Sequence, residues 1–485
     1  MTVTPECDLL VVGGGAGGIG AAAAAAAHGA HVVLIERGPA LGGTTGPGGV
    51  CHWEAGIGGT GVPIDIYRQL RKMDPDTVGI YGLGRHICAP DPALSEFPGG
   101  EHPICPDKTY ADTLRRYGAA ESAGYPYEFY REQCFGVCFT PEDYEDACLA
   151  LLRERGVDVG LETTVVDVLI EKGSVRGVRT SRGDEIRARF TVDATGEAAV
   201  AGPAGCDLRM GREGRDVFGE ANAPEQSDGV LNGATQMFRV APRKESAVDP
   251  LPPDIRPDCW WAERFPSFSV VELPDGTWSF NQLPSIAGAE AAGLGDRALE
   301  ECRRRTLAGW HSVQERYPEF QRFAVHSMSP VLAVRDAPRV VCRYTLTQKD
   351  LEAGLDGEAA EGRIAIADHL MDVHGGGKMG KPRLAAPYGI PFDCLVAADC
   401  GDLLVASRGA GFSAIAASSV RLTRTVMQLG QAAGTAAAMA ARRDVRITEL
   451  PAADLQAQLR ADGIQLETDL TGEAARRVAL ADRTV

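Results

Sequence analysis

The sequence predicts an α/β protein in which a parallel-sheet domain, assembled from separate stretches of chain, is joined to a second, α+β domain. Three observations carry this. Residues 8–37 read as strand, glycine turn, alanine-rich helix, strand and acid in unbroken order. Residues 157–196 return to strand-type alternation and close on Val192-Asp193-Ala194-Thr195-Gly196. Far along the chain, Leu403–Ala406 is a short apolar run of buried-strand type, and Met427–Ala441 is a helix of small residues.

The first unit is the most specific. Leu9–Val12 form an apolar strand, and Gly13-x-Gly15-x-x-Gly18 turns directly into a helix that runs on through Gly20–Gly29. His31–Ile35 supply the second strand. In such a unit Gly13 permits the tight turn, Gly15 lets a pyrophosphate approach the backbone, and Gly18 lets the helix pack on the strand. The helix N-terminus, with Ala16 and Gly17 in its first turn, offers unpaired N–H groups to phosphate. Glu36, eighteen residues beyond Gly18, is placed to accept hydrogen bonds from both ribose hydroxyls. The glycine spacing alone is a weak signal, since it recurs at Gly56–Gly61 and at Gly375–Gly380. The first of these copies follows no strand and runs into Val62-Pro63. The second meets Lys381-Pro382, and proline disfavours helix in the residue before it. Only the N-terminal copy has the context of a Rossmann-type dinucleotide site.

The remaining elements divide the chain. Residues 1–64 form the first part of the nucleotide domain. Residues 65–140 read as an insertion or cap, broken at Ala89-Pro90-Asp91-Pro92 and Pro98-Gly99-Gly100. Residues 141–205 form the second part: a helix, then a strand and a small meander with turns at Lys172-Gly173 and Arg182-Gly183-Asp184. Residues 206–394 hold most of the tryptophan and many proline breaks, and suit a substrate domain. Residues 395–447 return to the nucleotide domain, and 448–485 form a helical tail.

At 485 residues the chain exceeds one comfortable core. A net charge of −17 argues against a nucleic-acid partner, which needs a basic face. No run is long and apolar enough for a membrane span, and no basic flank with an apolar segment marks a secretory signal. Thirteen cysteines, odd in number and without a zinc-type double CxxC, suit reduced thiols in a cytoplasmic protein. The close pair Cys134 and Cys138 is spaced too loosely to argue for a redox disulfide. The sequence leaves a homo-oligomer open.

Taken in this order, the pieces resemble the FAD-dependent oxidoreductases of the glutathione-reductase-like superfamily. Within it they are most similar to the broad family related to fumarate-reductase flavoproteins. Four matches carry the resemblance: the N-terminal fingerprint with Glu36-Arg37 and Leu41-Gly42-Gly43-Thr44-Thr45; Val192-Asp193-Ala194-Thr195-Gly196; Arg335 through Tyr344–Thr347 and Asp350, with Pro387–Pro391 beyond; and Asp402–Arg408 with Ser419-Val420-Arg421 and Leu429–Thr435. The resemblance implies an FAD held by Gly13, Gly15, Ala16, Gly17, Gly18, Glu36 and Arg37, and by Gly43, Thr44, Thr45, Gly48 and Gly49 in the next loop. It adds Val165, Ala194, Thr195, Gly196 and Arg408. It further implies that a helix beginning at Leu429 aims its N-terminal amides at the pyrimidine edge of the flavin, with Gly430, Gln431, Ala432 and Ala433 at that end. Gly430 and Gly434 cost helix stability, which a plain core helix leaves unexplained. Where relatives attach the flavin through a histidine, this chain aligns Gly42 or Gly43, so a non-covalent cofactor is expected. Two departures, Glu197-Ala198-Ala199-Val200 after the second motif and Asp336-Ala337-Pro338-Arg339 after Arg335, bear on the substrate contacts.

For the chemistry the sequence offers His52, beneath the expected flavin position, and His374, ahead of a glycine loop, as acid or base. Arg335 and Arg383 are candidates to clamp a carboxylate, and Tyr344 and Tyr388 serve equally as core aromatics. No metal is expected, because the nine histidines form no zinc-type motif. The leading reading is an FAD-dependent oxidoreductase that dehydrogenates or reduces a small organic substrate. An FAD-dependent monooxygenase and a flavin-binding protein without turnover stay open. A disulfide reductase is disfavoured, since no cysteine pair follows Gly42-Gly43.

Overall fold

A computed structural model describes residues 6–82, 86–87, 104–114, 134–262, 266–374, 384–467 and 476–478. It is a mixed α/β structure organised by one seven-stranded sheet. The apolar run at the N-terminus forms β1 (Glu6–Val12), the alanine-rich stretch forms α1 (Ala16–Ala27), and the chain returns as β2 (Val32–Ile35). β1 pairs in parallel with β2, so α1 is a crossover helix and must lie on one face of the sheet. Further on come β3 (His52–Trp53), α2 (Val62–Met73), β4 (Val78–Gly82), β5 (His86–Ile87), β6 (Phe135–Phe139) and α3 (Pro141–Glu154). The sheet is completed by β7 (Asp158–Gly160), β8 (Val165–Glu171), β9 (Ser174–Thr180) and β10 (Glu185–Asp193). Its order is β7-β2-β1-β10-β9-β8: β10 lies parallel to β1, while β9 and β8 follow as the antiparallel meander that the turn residues announce.

A second sheet holds β11 (Phe238–Pro242), β12 (Ser267–Glu272), β13 (Trp278–Leu283) and β14 (Phe323–Met328), with β5 on its edge. Its core is aromatic. Phe238 stacks on Phe280 at 5.1 Å, and Trp310 of α4 (Ala298–Arg316) meets Phe280 edge-on at 5.3 Å. The expected boundary at 64/65 falls inside α2, and β5, from the expected insertion, pairs with the second sheet.

The chain then returns to the first sheet. β15 (Leu403–Val405) pairs in parallel with β10, followed by α5 (Ala414–Val420), α6 (Thr423–Arg443) and α7 (Ala452–Ala461). α1 and α6 are packed backbone to backbone. A Cβ on Gly430 would lie 1.9 Å from the Gly17 carbonyl oxygen, one on Gly434 2.0 Å from that of Ala21, and one on Gly20 2.1 Å from that of Met427. Close packing therefore explains the two helix glycines, which the sequence reading assigns to the flavin. Cys134 and Cys138 are free thiols, both buried. Among the described residues no helix is long and apolar enough to cross a membrane.

Candidate functional site

A cavity of about 650 Å³ opens at the carboxyl ends of β1, β2, β10 and β15, where open α/β sheets place their ligands. Its first wall is backbone. Gly13 turns the chain at φ +101°, so tightly that a Cβ there would sit 2.9 Å from the Ala194 carbonyl carbon. Gly15 is the opposite case: it caps α1, lines the cavity, and a Cβ on it would meet nothing within 4 Å. That open space beside a helix N-terminus is what a pyrophosphate requires. Glu36 is half-buried at the same rim, its carboxylate accepting hydrogen bonds from the Gly14 amide at 2.7 Å and the Gly38 amide at 2.8 Å. Asp193, at the end of β10, accepts from the amides of Thr195, Val200 and Ala201 and so fixes the turn that carries Ala194–Gly196. Arg37 pairs with Glu197 at 2.7 Å, and Arg408 donates from Nε to the Asp336 carbonyl at 3.1 Å.

Ala16, Gly17, Gly43, Thr44, Thr45 and Val165 line this cavity as well, whereas Gly18, Gly48 and Gly49 do not. A Cβ on Gly18 would strike the Gly13 carbonyl oxygen at 1.8 Å, and one on Gly48 the Thr44 carbonyl oxygen at 2.5 Å. These residues shape the cradle from behind. The expected helix start at Leu429 is corrected: α6 begins at Thr423, six residues earlier, and Thr423–Val426 line the cavity. Gly430, Gln431, Ala432 and Ala433 lie inside the helix and outside the lining, and Gln431 accepts a hydrogen bond from the Val62 amide at 2.8 Å. A 2.9 Å bond between Thr45 Oγ1 and Thr423 Oγ1 joins the glycine loop to the true start of α6.

The other wall is built from side chains. His52, on β3, is nine-tenths buried. Among the described residues its Nδ1 has no partner, and burial pushes the imidazole below its ordinary value. Glu54 follows. Burial works to raise its carboxyl, but the hydrogen bond and charge of His369 outweigh that and hold it down at about 2. The Glu54 Oε2 to His369 Nε2 distance is 3.2 Å. Asp372 Oδ2 bonds to His374 Nε2 and accepts from Arg421 Nη2 at 2.8 Å. Burial lowers His374 to about 4, against the pull of Asp372 and with the charges of Arg335 and Arg421 adding to the shift. Arg335, buried and beside Arg421, falls to about 9 and remains charged at neutral pH. Among the described residues only its Nη1 is engaged, on the Gly233 carbonyl at 2.8 Å and Thr235 Oγ1 at 3.0 Å.

Tertiary structure sets these groups. Asn232 donates to Asp336 through both nitrogens, at 2.5 and 2.8 Å, and accepts from the His374 amide at 2.6 Å, which ties Arg335 to the His374 segment. Arg421 stands at the end of α5, whose start is held by Glu213 on the Ala414 amide and Glu220 on Ser413 Oγ. Of the residues expected to carry the chemistry, His52, His374 and Arg335 line one cavity, while Arg383 lies outside the described residues. The sequence reading misses Glu54, His369, Asp372 and Arg421. One signal was available, the run from Asp368 to His374 that concentrates four titratable groups in seven residues.

The fold and cavity define an α/β protein with a glycine-lined cradle and a polar cavity. More narrowly, the chain belongs to the FAD dependent oxidoreductase family, whose model matches residues 8–459. It is an enzyme that uses FAD, and the open space at Gly15 beside the α1 terminus fits that cofactor. No curated protein matches this sequence. Among solved structures it is similar to a geranylgeranyl bacteriochlorophyll reductase-like protein from Thermoplasma acidophilum, at 14% identity and TM-score 0.43, with 99% of this chain and 97% of that chain covered. It is also similar to L-proline dehydrogenase from P. horikoshii, at 13% identity and TM-score 0.41, covering 95% and 99%. A third is the myxobacterial chondrochloren halogenase CndH, at 15% identity and TM-score 0.45, covering 97% and 86%.

Proposed function

We propose that this enzyme carries out a two-electron oxidation or reduction of a small organic molecule, bound between the glycine cradle and the charged wall. In this reading the cradle is a Rossmann-type site of the glutathione-reductase-like kind, related to that of fumarate-reductase flavoproteins. Gly15 and the α1 terminus face the pyrophosphate, Glu36 the adenosine ribose, and Thr423–Val426 the flavin. When bound, FAD supplies the two-electron chemistry. The chain's own side chains bind and orient the substrate and move protons. Arg335, buried with Nη1 committed to the Gly233 carbonyl and Thr235, keeps its remaining donors for an anionic group such as a carboxylate. One observation carries the reading: the cavity that holds the nucleotide cradle is also lined by His52, Glu54, Arg335, His369, His374 and Arg421. A protein that only stores flavin has no need of that concentration of buried charge, which is costly to fold.

The test is an anaerobic screen of small organic acids, amines and alcohols against purified protein, read by loss of the flavin's visible absorbance. At least one class should bleach it, and a carboxylate-bearing member should need Arg335. Bleaching only by NAD(P)H, with an oxygenated product once air is admitted, would replace this reading with a monooxygenase.

A further inference from the structure

We infer that the cavity wall carries a proton donor and a proton acceptor as two separate pairs: Glu54–His369, which holds one transferable proton, and Asp372–His374, which presents an open lone pair. The inference rests on the functional reading above and assigns the proton chemistry within it.

Hydrogen-bond valence distinguishes the two pairs. His369 Nδ1 lies 2.8 Å from the Leu370 carbonyl oxygen. A carbonyl can only accept, so Nδ1 carries a hydrogen and donates it. The other ring nitrogen, Nε2, faces Glu54 Oε2 at 3.2 Å. With Nδ1 already protonated, a neutral ring would set a lone pair against a carboxylate. The contact is attractive only if a further proton lies between the two atoms. That proton is shared along the line from His369 Nε2 to Glu54 Oε2. The backbone that carries the ring is held as well, since the His369 carbonyl accepts from Ser419 Oγ, which bonds to Tyr388 OH at 2.6 Å.

His374 has the opposite polarity. Its Nε2 is the atom on Asp372, so Nε2–H donates to the carboxylate, and among the described residues Nδ1 has no hydrogen-bond partner. A neutral ring satisfies this arrangement. Nδ1 is then an acceptor, with Asp372 placed to stabilise the imidazolium that forms when it takes a proton. The charged groups facing the two pairs differ accordingly. Glu54 meets His52 and Asp372, with Arg424 on its backbone carbonyl and Asp368 beside His369. His374 meets Arg335 and Arg421, which oppose a positive charge on its ring.

Both steps balance as proton transfers. A substrate X–H bond gives its proton to His374 Nδ1, and the Asp372–His374 pair passes from a net charge of −1 to 0. The Glu54–His369 pair gives its proton to a substrate atom and passes from 0 to −1. A cofactor that cycles needs both senses, one in each half-reaction.

Nitrogen-15 spectra of histidine-labelled, FAD-loaded protein at pH 7 test this, with His369→Gln and His374→Gln used for assignment. His374 should show a neutral ring protonated at Nε2. His369 should show protonated Nδ1 and a second proton that disappears in Glu54→Gln, whose amide preserves the hydrogen bond without an acidic proton. A His374 ring protonated at Nδ1, or a His369 signal indifferent to Glu54→Gln, overturns the assignment. Once the absorbance screen provides a substrate, His374→Gln should slow flavin reduction by about 10²–10⁴-fold and abolish its acid limb in the pH profile. Glu54→Gln should slow reoxidation by a quinone such as menadione by a comparable factor. Equal losses in both half-reactions from either variant would refute the division of labour. If no compound bleaches the flavin, the functional reading fails, and the spectra still decide the two pairs.

Discussion

The glycine-lined wall of the cavity and its charged wall share one space but draw on the chain in opposite ways. The cradle uses backbone atoms from a few compact motifs, and its shape depends on residues that have no side chain at all. The charged wall takes Glu54, Arg335, the Asp368–His374 run and Arg421 from four distant segments, and nothing local tells one of them where the others are. A site made of backbone is written in spacing, whereas a site made of side chains is written in tertiary packing. The first tolerates almost no added volume, and the second almost no change of charge.

Volume gives the sharpest contrast. Gly430→Ala would press a methyl against the Gly17 carbonyl, and the two helices would have to separate. We expect a loss of about 3 kcal/mol or more, seen as a large fall in thermal midpoint or as insoluble protein. Gly15→Ala meets no protein atom and should leave the midpoint of the FAD-free protein within about 0.5 kcal/mol of its parent. Its FAD retention should nonetheless weaken about tenfold or more, the scale of one charge-assisted hydrogen bond. If Gly15→Ala unfolds the protein, or Gly430→Ala is harmless, the two kinds of glycine are not distinct.

Glu36→Ala is next. It removes the acceptor proposed for the ribose and also frees the Gly14 and Gly38 amides, so FAD retention should weaken by about 1.5–3 kcal/mol in an equilibrium titration. Undiminished retention would remove Glu36 from the cofactor. Acid precipitation should also release the flavin into solution. Colour left in the pellet would show a covalent bond, with His52, in the cavity, the first residue to examine.

The charged wall is probed by pH. Folded His374 stays neutral down to about 4, while the unfolded residue takes up its proton near 6.5. Falling pH therefore favours the unfolded chain from about 6.5 downward, and the loss is complete near 4. It is at most about 3 kcal/mol, and His374→Gln should flatten the stability profile across that window in chemical denaturation. The smallest effect belongs to α3, where it meets Gly46 of the glycine loop. Glu145, half-buried with Glu142 and Asp146 nearby, is raised to about 7, so its folded form holds a proton that the unfolded chain loses earlier. Stability falls as pH rises from about 4.5 to 7, and Glu145→Gln should restore under about 1 kcal/mol at pH 8 and nothing at pH 4.5. An equal gain at both values would point to packing against Gly46 rather than charge.

These differences also set what the sequence could reveal. β1, α1, β2, Glu36 and the Ala194–Gly196 turn were legible because apolar periodicity and glycine spacing encode them locally. The start of α6 was not. Its N-cap is Leu422, with no side-chain hydrogen bond to mark the end, and the glycines at 430 and 434 look like an interruption until α1 is seen against them. His52, His374 and Arg335 could be named singly as reactive residue types. Glu54 and His369, 315 positions apart, become a pair only when β3 and the residues after the second sheet are brought together.

The contact between α1 and α6 also has a meaning in time. About 400 residues separate the two helices, and at roughly 5–20 residues per second a ribosome needs about 20–80 s to pass from one to the other. For that interval the face of α1 that carries Gly17, Gly20 and Ala21 lacks the helix that covers it, and β10 waits for β15 on its open side. The nucleotide cradle therefore cannot mature as an early, independent unit. Chains stopped before residue 423 should be digested by protease in their first 200 residues, and FAD should protect only chains that extend beyond α6.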